Sequence, residues 1–575
     1  MRYTLLLLSF IIFSINFFAQ TIIPGGLVRG QWKKANSPYL VQNAIMIAND
    51  STLTIEPGVK VEFQGQYKFL VLGKLLAVGT VQDSIIFTTA NHSTGWLGIR
   101  FENTTSNNDT TRLSYCKVEY GKADGVAPND CGGGIYFDHF SKAVISNTSV
   151  FNCYADINGG GIYCGYSSPV ILNNKIMYNS VLHGNGGGIC CENYSDVTII
   201  GNTISGNTAR GNGGGIGNFQ NWNSLIANNS VSYNSISSSG GGGGIINVAN
   251  STTITGNTIF NNSASNGTGG GIYDGGLGAW SGAVITSNFI SNNIAMTGGG
   301  FYCNGDALPV INNVIANNTA FSSGGGIACE NNCQALITNN TITNNAAPNG
   351  GGMFFTVMSS PTIKNCIIWG NTETADGPQV FLDDESSDPN FYYCDIMNGP
   401  LAIGVNSNVF YLGNYSNNIS NNPFFVSPAA GSGTGYNALL NDWNLQVSSP
   451  CINIGDPVGP YPATDILGNT RIVGTRIDIG AFESSVIDGL RNENKNELIS
   501  VFPNPFNSQA TILLNENRAG CTLGIIDVLG REIEKSNISE KQLVIDKGTK
   551  QPGIYFINVN DSQGQLLFRK KIIIQ

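Results

Sequence analysis

The sequence predicts an all-β chain whose centre is a parallel β-helix, a solenoid with coils of about 27 residues. Three observations predict it. A Gly triplet followed by an apolar residue recurs with its first Gly at Gly132, Gly159, Gly186, Gly213, Gly242, Gly269, Gly298, Gly324 and Gly350, at intervals of 26–29 residues. A second pattern, Asn-x-Ile-x-x-Asn or a close variant, advances in step with it at Asn174–Asn179, Asn202–Asn207, Asn229–Asn234, Asn257–Asn262, Asn313–Asn318 and Asn340–Asn345. The runs between them, such as Val197–Ile200 and Val284–Thr286, are β-branched and strand-length, and the intervening Asn and Gly suit left-handed turns. Such a period marks a repeat that buries its core against its neighbours.

Composition excludes the competing classes. With 73 Gly but only 20 Pro and no Gly-X-Y triplet, collagen is excluded. A charged fraction of 11% together with abundant Ile and Val opposes disorder. A net charge of −10 lacks the electrostatic footprint of a nucleic-acid binder.

Along the chain, Met1–Ala19 reads as a signal peptide: Arg2, a mostly apolar run, then the small Ala19. No later run of about 18 apolar residues exists, so no transmembrane span is expected after its removal. Residues 20–130 are expected to form an N-terminal cap and irregular opening coils, 131–370 the regular repeats, and 371–485 the closing coils and C-terminal segment of the β-helix. A linker at 486–498 leads to a last unit at 499–575, where Gly triplets vanish and charge rises.

Stacking at about 4.8 Å places equivalent residues in columns, and residues two apart share a face. The fourth residue counted from each first Gly is Ile135, Ile162, Ile189, Ile216, Ile245, Ile272, Phe301, Ile327 or Met353, which marks that column as core. The sixth points the same way: Phe137, Cys164, Cys191, Asn218, Asn247, Asp274, Cys303, Cys329 and Phe355. Asn columns are expected to link their amides along the axis. Cys164/Cys191 and Cys303/Cys329 stack with parallel Cβ vectors, which favours buried thiols over disulfides among the 13 Cys.

The opening Leu-Thr-Ile-Glu-Pro-Gly-Val-Lys-Val-Glu-Phe (53–63), Gly-Lys-Leu-Leu-Ala-Val-Gly (73–79) and Trp-Leu-Gly-Ile-Arg-Phe (96–101) resemble the first coils of secreted bacterial right-handed parallel β-helix proteins. Ser-Pro-Cys-Ile (449–452), Asp-Ile-Leu-Gly-Asn-Thr-Arg (465–471) and Asp-Ile-Gly-Ala-Phe-Glu (478–483) are similar to their closing segment. The last unit, with Val-Phe-Pro-Asn-Pro-Phe (501–506), Ile-Ile-Asp-Val-Leu-Gly-Arg (525–531), Gly-Ile-Tyr-Phe-Ile (553–557) and the terminal Arg-Lys-Lys-Ile-Ile-Ile (569–574), resembles the C-terminal sorting domain of type IX secretion cargo. That resemblance implies a small C-terminal β-sandwich, recognition by the type IX secretion machinery, and export across the outer membrane of a Bacteroidetes-like bacterium, with the product secreted or attached to the outer surface.

Right-handed β-helices host polysaccharide lyases and hydrolases, but function must be argued from the site. No strong catalytic or zinc motif occurs, and Lys175 and Arg210 are the only Lys and Arg between Val144 and Met353. A weaker arrangement has Asp156, His183 and Arg210 at 27-residue steps, which would stack a carboxylate, an imidazole and a guanidinium, in register with Asn158, Asn185 and Asn212. The seventh column carries Asp138, Gly165 and Glu192, two carboxyls two coil rises apart, roughly 9–10 Å, at the upper limit for an inverting glycosidase. Gly165 would leave space between them. Outward Tyr136 and Tyr163, repeated by Tyr273 and Tyr302, would offer aromatic faces to a sugar. A solvated charge ladder and ordinary cross-strand Tyr pairing explain the same residues without a ligand. Asp383, Asp384, Glu385 and Asp388 could hold calcium, but they lack EF-hand spacing and a solvated loop is favoured, so no cofactor is expected. The leading reading is binding or adhesion, to a polysaccharide or cell-surface glycan. A polysaccharide lyase or glycoside hydrolase is the alternative, and a structural surface component the third.

Overall fold

The computed structural model describes residues 20–103, 111–140, 143–248, 251–275, 282–305, 307–407, 409–459, 461–474, 476–485, 499–514, 519–527 and 531–575; the expected signal peptide (1–19) and linker (486–498) lie outside them. The chain divides into two units near residue 489.

The first unit is the expected parallel β-helix. Three parallel sheets of 15 strands each run along it: sheet I from Thr21–Ile23 to Asp395–Ile396, sheet II from Gly26–Leu27 to Ile403–Val405, and sheet III from Gly30–Trp32 to Tyr415–Ser416. A 10-stranded ribbon from Lys122–Ala123 to Thr372–Asp376 adds a fourth side. One coil therefore visits sheet I at Ser149–Phe151, the ribbon at Tyr154–Ala155, sheet II at Ile162–Gly165 and sheet III at Val170–Leu172. The register is the one the triplets set, with Ile135, Ile162 and Ile189 paired in turn and fully buried. The sixth column is inward along its whole length, including the polar stretch. There Asn218 donates to Asn247 at 2.8 Å and Asn247 to Asp274 at 2.6 Å, while Asn221 donates to Asn218 at 2.7 Å, so the buried amides are satisfied.

Two Asn ladders fill the interior corners flanking sheet I. One runs through Asn174, Asn202, Asn229, Asn257, Asn288, Asn313 and Asn340, the other through Asn179, Asn207, Asn234, Asn262, Asn293, Asn318, Asn345 and Asn371. After the first member of each ladder, Asn174 and Asn179, whose Oδ1 atoms accept from the backbone N–H of Thr148 and Cys153, each Oδ1 accepts both the backbone N–H and the side-chain amide of the Asn one coil earlier, so the amides are linked along the axis as the sequence predicts. The third Gly of each triplet explains why the two patterns keep step. A Cβ at Gly215 would lie 3.0 Å from Asn234 Nδ2, and at Gly188 equally close to Asn207 Nδ2. Each Asn occupies the volume that its Gly leaves empty.

Closing coils continue as far as Tyr415–Ser416, after which the chain no longer coils. Past Tyr415–Ser416 the chain turns back and lies along the outer face of sheet I, where Phe425, Trp443, Cys451, Ile479 and Phe482 pack on Val314, Ala316 and Ile367. Corner asparagines tie it down: Asn317 Nδ2 donates to Gly431 O at 2.8 Å and Asn312 Nδ2 to Thr464 O at 2.7 Å. Beneath this flap the fully buried Asp395 accepts from Asn421 N at 3.0 Å and Cys451 Sγ at 3.1 Å. Burial pushes its carboxyl up to about 7, and burial beside Asp478 pushes Glu483 up to about 8. A raised folded-state acid pKa means that the folded protein holds more protons than the unfolded chain between the two values. Stability therefore falls as pH rises from about 4 to 7, on the order of 4 kcal/mol for Asp395. Asp395→Asn is expected to flatten that window in denaturant titrations at pH 4 and pH 8, leaving the slope from Glu483. An unchanged pH dependence in the variant would refute the assignment.

The second unit packs a three-stranded antiparallel sheet (Ile499–Phe502, Gln509–Leu514, Gln542–Asp546) on a four-stranded one (Glu532–Asn537, Thr522–Asp527, Gly553–Asn560, Leu566–Ile574). Ile512 and Ile545 from one sheet and Ile525, Ile557 and Ile572 from the other share one core, the expected sandwich.

Candidate functional site

The predicted residues gather on and around the outer face of sheet II. Asp138, Gly165 and Glu192 occupy one column in register. Glu102 extends it by one coil, paired directly with Asp138. Sequence periodicity missed Glu102 because its coil precedes the first triplet. Asp138 Oδ1 contacts His139 Nδ1 at 2.8 Å, and both side chains reach solvent. Glu192 accepts from Tyr163 OH at 2.6 Å and from Asn158 Nδ2 at 3.3 Å.

Two expectations are corrected here. The space at Gly165 is occupied: a Cβ there would meet the Tyr163 hydroxyl at 2.9 Å, so the Tyr163 ring lies across the gap between Asp138 and Glu192. Nor do the tyrosines offer open faces. Tyr136, Tyr163 and Tyr302 are only 5–7% exposed, and Tyr273 is half-buried, its hydroxyl accepting from Asn304 Nδ2 at 2.9 Å. Tyr136 stacks on Tyr163 with centroids 5.1 Å apart, and the Arg100 guanidinium caps it 3.9 Å from the ring centre. Arg100 is itself fully buried; it donates to Glu102 Oε1 at 3.3 Å and to the carbonyl of Cys131 at 3.2 Å. Burial lowers the Arg100 pKa and raises those of Tyr136 and Tyr163, so Tyr163 stays a donor to Glu192. Tyr302 and Glu330 repeat this motif at 2.7 Å, and burial raises the Glu330 carboxyl. These Tyr–Glu pairs brace neighbouring coils.

Asp156, His183 and Arg210 do lie on successive coils, His183 N donating to Asp156 O at 2.9 Å, and Arg210 N to Val181 O at 3.3 Å with Gly211 N to Gly184 O at 2.8 Å. Their side chains do not combine. Asp156 accepts from Tyr154 OH at 3.3 Å, and among the described residues no hydrogen bond or ion pair joins the three. Asn158, Asn185 and Asn212 form a third amide ladder beside them.

The acidic run is drawn into its own turn. Asp384 accepts from Thr356 Oγ1 at 3.0 Å, Ser386 N at 2.8 Å and the backbone N–H of Val357. Burial would raise that carboxyl, but the bonds from Ser386, Val357 and Thr356 carry it below its usual value. Among the described residues no three His, Cys, Asp or Glu side chains gather as metal ligands.

The exposed aromatics lie at the corners instead. Tyr166, Tyr194 and Trp222 are 48%, 61% and 59% exposed on successive coils where sheet II turns into sheet III. His139 stacks on Tyr166 at 4.6 Å, and Tyr194 lies parallel to Trp222 at 6.5 Å. Asp196 Oδ1 holds the Trp222 turn, accepting from Trp222 N and Asn223 N at 2.9 Å each. Tyr166 and Tyr194 adopt left-handed φ of 48° and 61°. Such angles cost a bulky residue more than Asn or Gly. Of the later corners, Gly305 and Asn331–Asn332 use the permissive types, whereas Val357 and Met358 again place larger side chains at φ of 53° and 61°. The signal that could have found these rings is the repeat itself, since Tyr166, Tyr194 and Trp222 recur at 28-residue steps, but strand alternation does not reach corner residues.

No curated protein matches the chain. The sequence matches the family described as right handed beta helix region over residues 97–279 and 275–442, more than half of the chain, and the secretion system C-terminal sorting domain over residues 500–575. With its register, triplets and terminal sandwich in accord, the chain belongs to the right-handed β-helix proteins and is cargo of the type IX secretion system.

Proposed function

We propose that this exported protein, secreted or held at the outer surface, is a binding protein that engages glycans through the corner rings Tyr166, Tyr194 and Trp222. The observation that carries the reading is the run of three exposed aromatic residues on successive coils, Tyr166, Tyr194 and Trp222, 48–61% exposed, with both tyrosines in left-handed turns. Backbone strain at an exposed position points to a role outside folding. Aromatic rings bordered by a few polar groups suit sugars, whose C–H faces and hydroxyls need both. Asp138, Glu192 and Asp196 border the patch and disfavour anionic chains, so neutral polysaccharides are the preferred class.

The test exploits the strain. Replacing Tyr166 and Tyr194 by Asn, together with Trp222→Ala, installs residues that the corners tolerate. Glycan-array signal and affinity are expected to fall at least tenfold while thermal stability stays level or rises, by about 0.5–1 kcal/mol for each relieved turn. Absence of wild-type binding to glycans and to cells sinks the reading, as does unchanged affinity in the triple variant. New reducing ends or unsaturated products, abolished by Glu192→Gln, would establish the polysaccharide-degrading alternative.

A further inference from the structure

Three cysteines meet inside the coils containing Phe301–Asn304 and Ile327–Glu330, well away from the aromatic corner. Cys303 and Cys329 are in-register neighbours in the inward sixth column, and both are fully buried. Their Cβ vectors are parallel, so their sulfurs lie side by side, the same geometry as Cys164 beside Cys191. Cys333 is different. It sits after the corner that follows Ile327–Glu330, its backbone N–H anchored on Ser359 Oγ at 3.2 Å, and it enters the core from another direction. Its Sγ lies 2.9 Å from that of Cys303, inside van der Waals contact and about 0.9 Å beyond the bonded separation. Cys333 is also fully buried.

We propose that Cys303 and Cys333 form a disulfide in the exported protein, a covalent staple between successive coils. Oxidation proceeds by thiol–disulfide exchange before the coils close. The thiolate of one cysteine attacks the disulfide of an oxidant, either a protein disulfide oxidase or oxidised glutathione, giving a mixed disulfide and releasing one thiol. The second thiolate then displaces the remaining thiol. The Cys303–Cys333 bond forms, the oxidant's S–S bond breaks, and the oxidant leaves as two thiols carrying both electrons and both protons. An exported chain meets the oxidising conditions in which such bonds persist.

The test is made on the full chain recovered from the medium or cell surface, denatured in an alkylating reagent with and without reductant. The expected result is alkylation of 11 of the 13 cysteines without reductant and of all 13 with it, and a non-reduced proteolytic peptide pair joining Cys303 to Cys333, lighter by two hydrogens than the separate peptides. Cys329→Ser is expected to keep that peptide pair, and Cys333→Ser to lose it. Reduced protein refolded with oxidised glutathione is expected to regain it. Full alkylation without reductant overturns the proposal, and so does a disulfide between any other pair.

Discussion

Gly214→Ala is expected to open the solenoid at its coil, lowering stability by more than about 4 kcal/mol in urea titrations and creating a protease-sensitive site near residue 214. The added Cβ would lie 2.5 Å from Gly243 O and 2.6 Å from both Ser235 N and Ser235 O. All three are backbone atoms of packed strands, so no side-chain rotation relieves the overlap, and moving them breaks the hydrogen bonds that join one coil to the next. Gly217→Ala is the matched control. Its Cβ would meet chiefly the Phe219 ring edge, at 2.7 Å, and that half-buried ring has room to swing outward. Comparable losses in the two variants would show that the overlap with backbone atoms at Gly214 is not what sets the cost.

The contrast between these two glycines shows what the sequence can carry. Whatever repeats is readable: the triplets fix the register, the register fixes the inward columns, and the columns correctly place even the polar Asn218–Asn247–Asp274 stretch inside. What depends on contacts between non-equivalent parts is not readable. Tyr136 and Tyr163 do point outward by alternation, yet Arg100 from an earlier, triplet-free coil and the loop at Cys131 cover them. Alternation gives direction, not exposure. The motifs at 449–452, 465–471 and 478–483 resemble a closing segment, but only the structure shows residues 425–482 turned back over sheet I, because that face's apolar Val314, Ala316 and Ile367 have no sequence-local partner. The Asp138–Glu192 column was legible and its filling by the Tyr163 ring was not. The ring crosses from the fifth position of one coil to the seventh of the next, a diagonal that no single column contains.

Asn234→Leu, isosteric but without the amide, is expected to cost about 3–6 kcal/mol. Asn234 Oδ1 accepts the backbone N–H of Asn207 at 3.0 Å and its side-chain amide at 2.9 Å, and Asn234 Nδ2 donates to Ile204 O at 2.9 Å and Asn262 Oδ1 at 3.0 Å. The substitution therefore removes four hydrogen bonds from a site with no solvent exposure. Asn207 Nδ2 keeps Ile176 O, but the Asn207 backbone N–H is left buried and unpaired, at about 1–3 kcal/mol for each such group. Because each repeat contacts only its neighbours, the damage need not spread evenly. Hydrogen exchange is expected to lose protection at 204–236 first, with the coils at 45–101 retaining theirs, and denaturant unfolding is expected to broaden or split. Asn228→Gly provides the comparison: Asn228 is an exposed corner residue at φ 54°, and the next coil already carries Gly256 in its place. A loss there as large as at Asn234 would mean that Asn is selected for turn geometry. A loss confined to Asn234 would show that the solenoid depends on a continuous line of buried amides.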